Sequence, residues 1–148
     1  MDTITLSGLT SLKRLAVTLS ISVVDEDFRI LGPFTWLCNL LRSGYSTSVT
    51  QHLQELSIEV FCELGYTRTG GNISIPWKPL FDALSEDELK DLRILNIFIA
   101  SSIKIKRTTV VLERLNGCEA MAKLRCRPGL ILNVRGKHYW TFLSCVYQ

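Results

Sequence analysis

The sequence predicts an α+β fold, one domain in which a mixed or antiparallel sheet packs against helices. Three observations carry that expectation. Residues 14–24 and 93–107 alternate apolar and polar side chains, the pattern of strands with one buried face. Residues 49–64 repeat apolar side chains at helical spacing. The 148 residues show no linker, low-complexity tract or internal repeat, and that length suits a single domain with a real core. Residues 1–11 are read as a short N-terminal arm.

In the first strand Leu15, Val17, Leu19, Ile21 and Val23 face one way, and Arg14, Thr18, Ser20 and Ser22 the other. Asp25-Glu26-Asp27 ends it as a solvated turn, without the ligand spacing of a calcium loop. After Gly32-Pro33, residues 34–42 form a short helix containing Trp36 and stopped by Gly44. A longer helix follows, with Ser48 and Gln51 as a capping pair and Gly65 as its stop. Its stripe is Val49, Leu53, Leu56, Val60 and Leu64, leaving Gln54, Glu55, Glu59 and Glu63 solvated. Thr69–Asn72 is a turn before a short extended piece, Ile73–Ile75, and Pro76 and Pro79 keep residues 76–80 irregular. Ser85 and Glu88 cap a short helix through Leu92.

The second long strand sets Leu95, Ile97, Ile99, Ile103 and Ile105 against Asn96, Ala100, Ser102, Lys104 and Lys106. Phe98 stands on the polar side, so that face is expected to be partly covered. A strand ending near residue 112 and a helix around 115–125 come next. The chain closes on a hairpin, Leu130–Val134 turning at Arg135-Gly136-Lys137 into His138–Val146.

Charge is the feature that speaks to function. Residues 1–92 carry twelve Asp/Glu against seven Lys/Arg, and residues 93–148 two against ten, giving net charges of −5 and +8. Opposed fields of this kind favour self-association and anionic surfaces. A mean hydropathy of +0.20 adds the expectation of an apolar surface that needs a partner or a membrane. No apolar run reaches the roughly 20 residues of a membrane span. The first residues, Met1-Asp2-Thr3-Ile4-Thr5, lack the pattern of a signal peptide and the Gly of a myristoylation site. The expected setting is reducing and cytosolic. The five cysteines, Cys38, Cys62, Cys118, Cys126 and Cys145, are odd in number and widely spread, and are read as small buried hydrophobes.

No catalytic motif stands out, and the expectation is a protein that is not an enzyme and holds no metal or cofactor. His138 and Cys145, seven residues apart on one strand, would stand roughly 23 Å from each other. His52 with Asp91 or Glu88 makes an acid–base pair on paper, with nothing local to set its geometry. Gly70-Gly71 lacks the frame of a phosphate loop. Asn72-Ile73-Ser74 is a sequon with no secretory signal to put it to use. The bases are more informative. Lys104, Lys106, Arg107, Arg125, Arg127, Arg135 and Lys137 are the candidate contacts to phosphates of lipid or nucleic acid, or a solvated face. Lys104–Arg107 also has the character of a short nuclear-import sequence.

In element order the chain resembles the globular core of rhabdovirus matrix proteins. The resemblance runs through the strand Leu15–Val24 with Asp27-Phe28-Arg29-Ile30-Leu31, the helix ending at Leu64-Gly65, and the strand Arg93–Lys106. It closes on Gly129-Leu130-Ile131-Leu132 and Tyr139-Trp140-Thr141-Phe142-Leu143-Ser144 as the final hairpin. It covers roughly residues 12–146 in pattern, without a diagnostic motif. The chain departs from the family in its short arm and in lacking a proline-rich budding motif. The resemblance implies a structural protein of virion assembly that self-associates and binds anionic phospholipid and the viral nucleocapsid. Asp25, Glu26, Asp27, Glu55, Glu59 and Glu63 would then form the acidic surface for head-to-tail contact with the basic half. It would work in the host cytoplasm and at the inner membrane surface, with the virion and the nucleus as further sites. The alternative is a matrix-derived accessory protein that binds a host regulatory protein.

Overall fold

A computed structural model describes residues 12–23, 28–46, 50–64, 77–85, 89–101 and 112–138. Strands and helices alternate: β1 (Arg14–Val23), α1 (Phe28–Ser46), β2 (Glu55–Leu64), α2 (Trp77–Ser85) and β3 (Ile94–Ser101). A helical turn, α3, covers residues 112–116, before α4 (Glu119–Arg125) and β4 (Ile131–His138). The helices and the sheet expected from the sequence are both present, but the strand directions differ. The four strands form one sheet in the order β1-β2-β3-β4, every pair parallel. Parallel neighbours need a crossover rather than a hairpin. Each crossover here steps one strand further in the same direction. Right-handed connections therefore put the helices together on one face.

Packing agrees with that arrangement. The inward side chains align in rows across the sheet: Leu15, Leu56, Leu95 and Leu132, then Val17, Ile58, Ile97 and Val134. They join one core with Phe34, Leu37 and Leu41 of α1 and Trp77, Leu80 and Leu84 of α2. Those two helices bury residues at the same spacing, one stripe per helix. The Trp77 ring meets Phe34 edge-on at 5.2 Å and stacks on Phe81 at 5.7 Å, tying α1 to α2. Leu115, Met121 and Leu124 continue the layer over β4.

A repeat underlies this regularity, although none was expected. Leu12-x-x-Leu15-x-Val17, Leu53-x-x-Leu56-x-Ile58 and Leu92-x-x-Leu95-x-Ile97 occupy equivalent places in three successive strands. The backbone repeats as well. The Lys13 carbonyl accepts from the amides of Gln54 and Glu55, and the Gln54 carbonyl from those of Arg93 and Ile94. The Arg93 carbonyl in turn accepts from Ile131 at 2.7 Å.

Several local expectations change. The helix expected over 49–64 gives way, from residue 55, to a strand: β2 lies between β1 and β3 and pairs with both. Its leucines satisfy both periods, and pairing on both sides settles the matter in favour of the strand. Arg135-Gly136-Lys137 is no turn, because β4 runs through it in register with β3. Glycine is tolerable there, on an outer strand. The expected second arm of that hairpin, residues 139–146, lies outside the described residues. Residues 77–80 are helical rather than irregular: Pro79 sits in the first turn of α2, where its missing amide costs no intrahelical bond. Of the helix expected over 85–92, Ser85 instead ends α2, residues 86–88 lie outside the described residues, and residues 89–92 form a turn in which the Leu92 amide donates to the Leu89 carbonyl. α1 starts before Gly32, contains Pro33 and passes Gly44 to end at Ser46. Residues 112–116 are helical, just ahead of the helix expected around 115–125, and the strand expected to end near 112 falls before them, outside the described residues. Cys38 is buried as expected, whereas Cys118 is half-buried and Cys126 exposed. The arm 1–11, the turns at 25–27 and 69–72, the piece 73–75, the cap at Glu88 and the end of the long strand, 102–107, fall outside the described residues.

Candidate interaction surface

Alternation along four strands gives the sheet a second face, opposite the described helices, whose side chains also line up in rows. Arg14, Glu55, Ile94 and Ile131 form the first row, and Ala16, Ser57, Asn96 and Asn133 the next. Thr18, Glu59, Phe98 and Arg135 follow, then Ser20, Phe61, Ala100 and Lys137. The outer members Ala16, Thr18, Ser20, Ile131 and Arg135 are exposed, and most inner ones are half-buried.

Polar contacts knit these rows together. Arg14 pairs with Glu55 at 3.3 Å. Asn96 donates through Nδ2 to Glu55 at 3.3 Å and to the Ser57 hydroxyl at 3.0 Å. Asn133 then donates to Asn96 Oδ1 at 2.9 Å. The carboxylate can only accept, so it orients both amides. Asn96 must turn its NH2 to Glu55, which leaves its oxygen for the NH2 of Asn133. Further along, Lys137 Nζ bonds Glu59 at 2.8 Å and lies 4.4 Å above the Phe98 ring. That cation–π contact is the partial covering expected of Phe98.

The candidate residues named from the sequence are only partly brought together. Of the bases, Arg135 and Lys137 share the open face. Arg125 and Arg127 belong elsewhere: Arg125 reaches Asn116 beside α4, and Arg127 donates to the carbonyls of Leu84, at 2.7 Å, and Leu89. Arg127 is thus spent on the end of α2 and the turn before β3. Lys104, Lys106 and Arg107 lie outside the described residues. Of the acids, Glu55 and Glu59 sit on the same face as Arg135 and Lys137, not on a separate surface. The bond from Lys137 to Glu59 joins, within one chain, two residues assigned to opposite sides of a head-to-tail contact. Asp25, Glu26 and Asp27 lie outside the described residues, as does the side chain of Glu63, whose backbone pairs with Ser22 in the sheet.

Chemistry of other kinds has less support. His52 Nδ1 and Asp91 Oδ2 do meet, at 3.0 Å, both well exposed. They immediately precede Leu53 and Leu92, equivalent places in adjacent repeats, so the pair reads as a rung between repeats. Among the described residues no group of His, Cys, Asp and Glu is arranged to hold a metal ion. No described helix is long and apolar enough to cross a membrane. Sequence reasoning passed over Ser57, Phe61, Asn133 and Ile131. The recurrence of Leu95-Asn96-Ile97 as Leu132-Asn133-Val134 was the available signal.

Comparison with protein-family models, curated proteins and solved structures finds no match to this chain.

Proposed function

We propose that the chain is a non-enzymatic binding module made of stacked β–α repeats, with the open sheet face as its docking surface for a protein partner. One observation carries this reading: equivalent residues of successive strands align across the face into a bonded lattice that frames Phe98 and leaves Ile131 and Arg135 exposed. Aromatic residues and arginine on a pre-ordered surface are what protein interfaces favour, because little side-chain freedom remains to be lost on binding. The Leu-x-x-Leu-x-(Ile/Val) strands resemble the opening of leucine-rich repeats, solenoids that bind partners across an extended surface. Here the equivalent leucines Leu12, Leu53 and Leu92 are 41 and 39 residues apart, against roughly 20–29 in that class.

The alternative of a matrix-like assembly protein has less support. Two of its four points of resemblance lose support, because residues 55–64 of the expected helix and the expected hairpin turn at 135–137 are strand instead. The accessory reading, binding to a regulatory protein, is the one this geometry favours. Affinity purification from the native source tests it with three proteins: the parent, Asn133→Arg on the open face, and Lys123→Glu on α4. A polypeptide held stoichiometrically by the parent and Lys123→Glu, and lost with Asn133→Arg, supports the proposal. Equal retention by all three sinks it. Binding to phosphatidylserine vesicles that Asn133→Arg leaves intact would favour the assembly reading.

A further inference from the structure

The open face is not uniform, and its β4 side carries the information about a ligand. Among the described residues of that face, both carboxylates are engaged: Glu55 by Arg14 and Asn96, Glu59 by Lys137. Among those described residues Arg135 is the cation left over, exposed and next to Phe98 in register. On the same strand and face, Ile131 is 59% exposed, the large apolar side chain most open to water among those described. Asn133 lies between them. Its NH2 is committed to Asn96 by the relay that starts at Glu55, so its carbonyl oxygen is the group left to accept a hydrogen bond.

We infer that this strip binds an extended, acidic segment of the partner polypeptide. Its aliphatic side chain would lie on Ile131, an N–H would donate to Asn133, and its carboxylate would pair with Arg135. The spacing follows from the strand. Residues 131 and 135 are four apart, about 13 Å at roughly 3.3 Å per residue. An extended ligand has the same rise, so it presents an aliphatic residue and an Asp or Glu four positions apart, on the same side. Charge complementarity selects the acid: a basic segment would meet Arg135 with Lys137 close by, and like charges oppose docking. Arg135 is the side chain best placed for the task, since a guanidinium takes a carboxylate with two parallel bonds.

This inference rests on the open face being the docking surface, and the test separates the two. A random peptide library is selected on the folded protein and, in parallel, on Arg135→Glu. That substitution is at an exposed site and leaves the core untouched, which far-UV circular dichroism checks. Peptides from the parent should carry Asp or Glu four residues from Leu, Ile or Val, and should bind Arg135→Glu at least about tenfold more weakly. Peptides from Arg135→Glu should keep the aliphatic residue and exchange the acid for Lys or Arg. Peptides displaced by Asn133→Arg but showing no acidic preference overturn the inference and leave the docking face standing. Peptides indifferent to Asn133→Arg, or none at all, overturn both.

Discussion

The two inner strands and the two outer ones carry the same kinds of residue in the same register, yet they are buried differently. Leu56, Ile58 and Val60 on β2 and Leu95, Ile97 and Ile99 on β3 are fully buried. Leu15 and Val17 on β1, and Leu132 and Val134 on β4, are half-buried, although each stands in the same row as a buried residue; Leu19, further along β1, is the buried exception. Residue type does not explain the difference. A strand in this sheet is sealed by a neighbour on either side and helices behind, and among the described residues the outer strands have one neighbour each. Stability in such a stack is a sum of repeats and their interfaces.

The largest effects should come from cutting into the inner rows. Leu56→Ala and Ile97→Ala should each cost about 2–5 kcal/mol in urea unfolding, and Leu56→Asp should abolish the cooperative transition. Val17→Ala and Val134→Ala should cost about 1 kcal/mol or less, since less apolar area leaves water in those positions. Equal losses at inner and outer rows would break the comparison.

A smaller effect sharpens it from the helix side. Arg127→Met should cost about 2 kcal/mol, because the carbonyls of Leu84 and Leu89 lose a charged donor in a part-buried place. If Arg127 were instead a solvated base for anionic surfaces, stability would not change. Least of all should come from Lys78 and Asp82, an exposed pair one turn apart on α2. The hydrogen bond to Asp82, and then that carboxylate's charge, hold the Lys78 ammonium above its usual 10.5. Any contribution is present below 10.5 and lost as pH rises through the raised value, so the pair confers no pH dependence near neutrality. Asp82→Asn should leave Tm at pH 7 within about one degree. A larger change would show surface pairs doing work assigned here to stacking.

How much of this was legible depended on whether the deciding information was local. β1 and β3 were readable because strict alternation fits one template only. β2 was not, since Leu53, Leu56, Val60 and Leu64 suit a helix as well as Leu56, Ile58 and Val60 suit a strand, and the choice is made by Leu15 and Leu95, about 40 residues away on either side. Gly136 looked like a turn because its pairing with Ile99 is also remote. The repeat is written in Leu12, Leu53 and Leu92, but its drifting period hides it. On the open face, Lys137 and Arg135 were picked for their charge, and Glu55 and Glu59 as well. That Lys137 meets Glu59 across 78 positions of sequence needed the strand order. Asn133 is neutral and unremarkable until the relay from Glu55 gives its amide a direction.

The order β1-β2-β3-β4 also governs how the native state comes apart. Among the described residues each strand is bonded only to the one before and the one after, and no contact closes the sheet into a ring. Opening can begin at either end and release one strand at a time, without disturbing the next pairing. The amides between β2 and β3 should then exchange with solvent only through global unfolding, and those along β1 and β4 through cheaper partial openings. Ile131, Asn133 and Arg135 ride on one of these fraying strands, which makes a bound ligand there a clamp on the end of the stack.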